Sequence, residues 1–136
     1  MKSSCYCANI RHSAQLLVAL YDQGLAPCGL SIAQYRLLSR LSSLGQANLT
    51  QWAEAAGIER TTMVRNVRTL EASGWLERAA GSGKTYTLSE AGQALVARAK
   101  PHWAAVQKHV EDILGKDDAQ ALLRIHAKLE ERGAAS

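Results

Sequence analysis

AGIERTTMVRNVRTLEASGWLERAAGSGKTYTLSEAG, residues 56–92, is the stretch on which the fold turns. Gly57 carries no Cβ, tolerates a positive φ and supplies a tight turn between two helices. The residues before it, Leu49-Thr50-Gln51-Trp52-Ala53-Glu54-Ala55-Ala56, predict a short helix. Thr50 is its expected N-cap, and Leu49, Trp52, Ala53 and Ala56 share one face. After the turn, Arg60 to Ala72 predicts a second helix. There Val64, Val67 and Leu70 repeat at helical spacing, while Arg60, Thr61, Thr62, Arg65, Asn66 and Arg68 occupy the other faces. Gly74 stops it. Trp75-Leu76-Glu77-Arg78 then predicts a strand, Gly81-Ser82-Gly83 a hairpin turn, and Lys84-Thr85-Tyr86-Thr87-Leu88 a returning strand. A helix, a glycine turn, a polar helix and a hairpin, in that order, make a winged helix-turn-helix over residues 46–88.

The polar side of the second helix points to double-stranded DNA. Arg forks onto guanine edges or phosphate, Thr bonds phosphate or packs on a thymine methyl, and Asn pairs with adenine. In a helix-turn-helix, the amino-terminal residues of the second helix enter the major groove. Arg60, Thr61, Thr62, Arg65 and Asn66 are therefore the expected base or groove contacts. Arg68, Arg78 and Lys84 are the expected phosphate or wing contacts. For Lys84 an ordinary solubilising charge on an edge strand is an equal reading.

These segments resemble the MarR family of transcriptional regulators, and the resemblance covers nearly the whole chain. It is carried by Leu49-Thr50 through Ala55-Ala56-Gly57, by Thr62 to Glu71, by Gly74-Trp75-Leu76-Glu77-Arg78, and by Tyr86-Thr87-Leu88-Ser89-Glu90-Ala91-Gly92. In one respect the chain departs from the family pattern. The family's wing carries an Asp-x-Arg element whose Arg reaches the minor groove. Here Gly81-Ser82-Gly83-Lys84 stands in its place, with Lys84 as the substitute. The resemblance also implies a homodimer, and an effector cleft between the dimer helices and the winged lobe. In this chain His12, Tyr21, Tyr35, Arg36 and Trp103 would line that cleft.

The flanking segments read as helices. One runs from about Ala8 to Gly24, with Ile10, Ala14, Leu17 and Tyr21 as its main stripe, widened by Leu16, Val18 and Leu20. A second is capped by Ser31 and runs to Leu44, with Gly45 closing it. Ser89 caps a long helix to Leu114, roughly 37 Å at about 1.5 Å per residue. Its stripe is Leu95, Ala99, Trp103, Val106, Val110 and Ile113, and Pro101 should bend it. After Gly115 a terminal helix begins at Asp117 or Asp118, with Ala121, Leu122, Ile125 and Leu129 apolar. The winged core cannot cover these stripes, so a twofold mate is the economical partner. A dimer would present two recognition helices about one DNA turn apart, matching a pseudopalindromic operator.

Composition agrees with this reading without deciding it. The 136 residues suit one domain, and a net charge of +4 favours a nucleic-acid partner. No apolar run spans a bilayer, and Met1-Lys2-Ser3-Ser4-Cys5 has no apolar signal core, so the expected location is cytoplasmic, with no membrane partner. Trp52, Trp75 and Trp103 sit at apolar positions and read as core. No nucleophile, base and orienter share a recognisable spacing, so an enzyme is not expected. No cofactor is expected either. His102 and His109 are seven residues apart, too far to chelate one ion, and no metal site is expected. Cys5-Tyr6-Cys7 and Cys28 bracket the first helix. They read either as small apolar fillers or as thiols that sense oxidants or soft ions.

The expected fold is mainly α with a small β wing: a DNA-binding lobe over 30–88 and a helical dimerisation region over 1–29 and 89–136. The expected function is a homodimeric repressor, relieved by a small molecule, an oxidant or a thiophilic ion. A winged-helix protein-interaction module is the alternative, and steep salt dependence of binding would separate the two.

Overall fold

The computed structural model describes residues 3–81 and 83–135. Ser82, read as part of the hairpin turn, lies outside them, as do Met1 and Lys2 of the amino-terminal stretch. The chain folds as α1 (Tyr6–Leu25), a 3-10 turn (Ala26–Cys28), α2 (Ile32–Leu44), β1 (Ala47–Asn48), α3 (Leu49–Ala56), α4 (Arg60–Ala72), β2 (Leu76–Arg78), β3 (Thr85–Leu88), α5 (Glu90–Leu114) and α6 (Lys116–Ala135). It is mainly helical with one small antiparallel sheet in the order β1-β3-β2. The hairpin pairs Leu76 with Leu88 and Arg78 with Tyr86.

Local chemistry explains most boundaries. Ser31 caps α2 by accepting from the Gln34 amide, and the Gln34 side chain returns a bond to the Ser31 amide. Gly57 sits at φ 68°, the left-handed geometry that closes α3 and turns the chain into α4. Ser89 caps α5 through the Gly92 amide and also donates to the Gly74 carbonyl at 2.7 Å. Gly92 is required there, because a Cβ would run into the Trp75 carbonyl oxygen. These contacts bind the root of the hairpin to the start of α5.

Several sequence expectations need correction. The α3 cap is Asn48, not Thr50. Asn48 and Gln51 form a reciprocal capping box, which starts the helix two residues earlier and leaves Thr50 inside its first turn. In α4 the buried residues are Met63, Val67 and Leu70, and Val64 is only half-buried. Met63 and Leu70 are seven residues apart and nearly eclipse on a helix, whereas Val64 and Leu70 diverge by about 120°. The first strand was not foreseen. Its two residues carry no alternating pattern, and only the β3 edge calls them into the sheet. Trp75 and Lys84 fall just outside their strands, α1 starts at Tyr6, and α6 starts at Lys116. The long α5 runs from Glu90 to Leu114 with Pro101 inside it.

One core runs through the molecule. Trp52, Leu25, Leu37, Leu38, Leu41, Met63 and Leu70 are fully buried, joined by Leu76, Tyr86, Leu88, Leu95 and Ala99. Trp52 ties α3 to α2 by donating Nε1–H to the Leu37 carbonyl at 2.9 Å, and its ring meets that of Tyr86 at 5.9 Å. The far ends are different. On α1, the end of α5 and α6, large apolar side chains face outward in the single chain: Tyr6, Ile10, Leu16, Ile113, Leu123 and Leu129 are each more than half exposed. Such an area of uncovered apolar surface is unusual for a monomer. Among the described residues no single helix is long and apolar enough to cross a membrane.

Candidate nucleic-acid interface

The helix α4 separates its chemistry by face. Met63, Val67 and Leu70 point into the core. Thr61, Arg65 and Arg68 sit two residues earlier in the same i, i+4, i+7 pattern, roughly 200° around the helix from that triplet, and all three are exposed. The core contacts therefore fix which side chains are presented outward. Among the described residues no hydrogen bond or ion pair holds Arg65 or Arg68.

The other sequence-designated residues are less free. Arg60 is exposed, and its guanidinium donates to the Thr50 hydroxyl at 2.7 Å, linking the starts of α4 and α3. Asn66 is half-buried and donates to the Thr62 carbonyl at 2.9 Å, one turn back on its own helix. Arg78 bonds the Gly83 carbonyl at the hairpin tip and meets Glu71 of α4 at 3.4 Å. Its guanidinium also lies 4.8 Å from the centre of the Tyr86 ring. Those contacts brace the wing against α4. Lys84 is exposed and engaged within the chain. Arg60, Thr61, Thr62, Arg65 and Asn66 thus gather at the amino-terminal half of α4, while Arg78 and Lys84 belong to the wing beside it.

The residues assigned to an effector cleft divide. Tyr35, Arg36 and Trp103 line one cavity of about 440 Å³ between α2, α3 and α5, and the Tyr35 and Trp103 rings stack at 6.3 Å. Tyr21 lies elsewhere, in a larger groove of about 850 Å³ between α1, α5 and α6. Its hydroxyl bonds Gln107 Oε1, and burial, with the Glu111 carboxylate adding to it, raises its pKa above the ordinary phenol value. His12 is exposed on α1 and lines neither cavity. The signal that sequence reasoning missed is Arg40 with Lys100, which share the first cavity with Arg36. Arg40 stands four residues after Arg36 on α2, a spacing visible in the sequence. Lys100 joins them only through the packing of α5.

The cysteines also divide. Cys5 is the extended N-cap residue of α1 and Cys7 is in its first turn, both exposed. Cys28 is buried, with its sulfur 4.0 Å from the Arg98 carbonyl oxygen.

Residues 30–82 match the sequence pattern of the MarR family. Over 97% of its length the chain superimposes on 98% of the Mycobacterium tuberculosis transcriptional regulator MosR in complex with DNA, at 30% identity and a TM-score of 0.83. It also superimposes on the transcriptional repressor CouR bound to p-coumaroyl-CoA, at 27% identity and a TM-score of 0.85, covering 93% of this chain and 91% of that one. An uncharacterized HTH-type transcriptional regulator of Bacillus subtilis, YwoH, is 29% identical over 75 residues, 55% of either chain. With the whole architecture shared and the outward face of α4 free, the chain belongs to the MarR family of DNA-binding winged helix-turn-helix transcriptional regulators.

Proposed function

We propose that the protein is a homodimeric repressor that reads a pseudopalindromic DNA site with the amino-terminal half of α4. The observation that carries this is the pairing of a buried Met63/Val67/Leu70 face with an exposed Thr61/Arg65/Arg68 face inside a complete winged motif. The superposition on MosR in its DNA complex, along almost the whole chain, supports it. The uncovered apolar faces of α1 and α6 support pairing with a second copy, which would divide the chain into a DNA-binding lobe at 30–88 and a dimerisation region at 1–29 and 89–136. On this reading the protein binds rather than catalyses, and it works in the cytoplasm beside the chromosome. Selection of bound genomic fragments by the purified protein tests it. Recovery of one shared inverted repeat is expected, and fragments with no common sequence would refute specific readout. Affinity for the repeat should also fall steeply with salt, because several Lys and Arg contacts release counterions. A flat salt profile would favour a protein-docking role.

Within this reading, Arg65→Ala should weaken binding to the selected repeat by about 1–3 kcal/mol and relax sequence preference at one base pair in each half-site. Titration against the repeat and its single-base variants measures both. An unaltered preference would remove Arg65 from base readout.

Two effector routes are consistent with the fold. A small molecule in the cavity beside Tyr35, Arg36 and Trp103 is one, and the CouR complex supports it by analogy. The other is Cys5 and Cys7, which are exposed, whereas the burial of Cys28 sets it apart from them. Cys5 is the extended N-cap residue and Cys7 lies in the first turn of α1. A Cys5–Cys7 disulfide, formed as peroxide takes two electrons and two protons from the thiols and leaves as water, would tie this cap residue to the first turn and change how α1 begins. Cys5→Ser with Cys7→Ser should abolish peroxide-induced release of DNA, and Cys28→Ser should leave it intact. Release that persists in the double variant would end the thiol reading.

A further inference from the structure

On the homodimer reading the chain passes between the DNA-binding lobe and the pairing helices twice, once before α2 and once after β3. One side chain pins each crossing. At the exit from the lobe the pin is Ser89, which is only 7% exposed. Its hydroxyl is used in both directions, donating to the Gly74 carbonyl at 2.7 Å and accepting from the Gly92 amide at 3.0 Å. Gly74 closes the recognition helix at φ 79°, with its amide on the Glu71 carbonyl and the Trp75 amide on the Leu70 carbonyl. The end of α4 and the start of α5 are therefore joined through one oxygen atom. The same joint holds the root of the wing. The Ser89 amide donates to the Trp75 carbonyl at 3.0 Å, and a Cβ on Gly92 would come within 2.2 Å of that carbonyl oxygen. Backbone lies on backbone there, which fixes the direction in which α5 leaves. At the entrance to the lobe, the Asp22 carboxylate of α1 accepts from the Ile32 amide at 2.7 Å. Ile32 opens α2, which has no acidic residue in its own first turn, so α1 supplies the anion at the positive end of that helix.

We propose that Ser89 and Asp22 are positioning residues that set the angle between the lobe and the pairing helices, and thereby the spacing of the two half-sites that the protein reads. The proposal rests on the homodimer reading above. Neither residue belongs to the outward face of α4 or to the wing, so both act through backbone that they hold in place. In a twofold pair, the same small rotation at each joint changes the separation of the two recognition helices. The DNA is an exacting ruler for that separation. Its next base pair lies about 3.4 Å further along and roughly 35° further round, since a turn takes about 10–10.5 base pairs in about 34–36 Å. A lobe fixed to α1 and α5 fits one spacing. A loosened lobe reaches several spacings and loses part of the gain from engaging both half-sites at once. Ser89 holds the larger share of the joint, because without its hydroxyl the Gly74 carbonyl and the Gly92 amide lose a partner together.

The probes are duplexes carrying the selected repeat, the same repeat with its centre lengthened or shortened by one base pair, and a single half-site, each titrated with the full chain. Wild type should prefer its own spacing by at least about tenfold, within the 10²- to 10⁴-fold range of a linked second site. Ser89→Ala and Asp22→Ala should each lower affinity for the native spacing by about 5- to 150-fold, the usual range of a coupling between sites. Each should also bind the three spacings within about threefold of one another, because the lobe no longer imposes one geometry. Affinity for the half-site should stay within about twofold of wild type, since the DNA-facing side of α4 is untouched. Ser89→Thr keeps the hydroxyl and Asp22→Asn keeps an acceptor oxygen, so both should restore part of the spacing preference. Sedimentation equilibrium and thermal melting confirm that each variant is dimeric and folded, and Asp22→Ala decides alone should Ser89→Ala fail to fold. A residue that only stabilises the chain would weaken half-site and repeat alike and leave the spacing preference intact, which would overturn the proposal. Equal behaviour of Ser89→Ala and Ser89→Thr would overturn it as well. A wild type indifferent to spacing would sink the dimer reading and the spacing role together. A sharp wild-type preference that survives both alanine substitutions would sink the positioning role alone.

Discussion

Placing aspartate at both Leu122 and Ile125 should convert the protein to monomers and lower its affinity for the DNA repeat by about 10²- to 10⁴-fold, the usual worth of a linked second site. In the single chain these side chains are 44% and 51% exposed, so a carboxylate at either position meets water and leaves the monomer fold intact. Across a twofold interface the same carboxylates would be stripped of water without a partner, which is strongly unfavourable. The two recognition helices would then bind independently, each with a single half-site. Sedimentation equilibrium at micromolar concentration, together with DNA titration, measures both effects. A variant that remains dimeric and binds as tightly as wild type would place the interface away from α6. A wild type that is monomeric at that concentration with its fold intact would refute the dimer itself.

Trp52→Ala should destabilise the chain by about 3–5 kcal/mol, the range for removing a buried aromatic. Trp52 has no exposed surface, its indole N–H satisfies the buried Leu37 carbonyl, and its ring packs on Tyr86. One substitution therefore opens a cavity where α2, α3 and β3 meet. Domains of this size have about 5–15 kcal/mol in total, so the variant should lose a large share of its stability and bind DNA poorly even where folded. Trp52→Phe separates the two contributions. It keeps a ring in the site and removes the donor, and should cost about 0.5–1.5 kcal/mol for one lost hydrogen bond, because the Leu37 carbonyl keeps its partner within α2. Urea denaturation followed by circular dichroism gives both values. A loss below about 1 kcal/mol for Trp52→Ala would mean that α3 is held chiefly by its caps.

The readable part of this chain was local. Ser31 and Ser89 as caps, Gly57 as the turn, the Arg60–Ala72 helix and the Leu76–Leu88 hairpin each follow from a side chain acting on backbone within a few residues of itself. Their order along the chain was enough to name the winged motif, because few architectures use that order. Nearby competition produced the small errors. Asn48 and Thr50 are both good caps two residues apart, and only the reciprocal bond from Gln51 chooses between them. Met63 and Val64 are both apolar, and only the exact rotation of α4 on the core selects Met63.

The candidate sites depended on distance in space, and sequence spacing is blind to that. It proposed Tyr21 and Trp103 for one cleft, but the packing of α1 and α5 sends them to different cavities. It grouped Cys28 with Cys5 and Cys7 across the first helix, and only the fold shows that Cys28 is buried while the other two are exposed. It assigned Arg78 to DNA backbone or wing contacts, and did not foresee that its guanidinium, still half-exposed, also reaches Glu71, Tyr86 and Gly83. The bonds from Arg36 and Arg40 to the end of α3 join residues 20 and 15 positions apart, a reach that no local pattern encodes. From sequence alone came the kinds of element, their order and the polar face offered to DNA, because hydrogen bonds and helical periodicity act within a few residues. Which arginines stand unpaired and which brace the fold was decided only by tertiary packing, because a long flexible cation takes whatever acceptor the fold brings within reach.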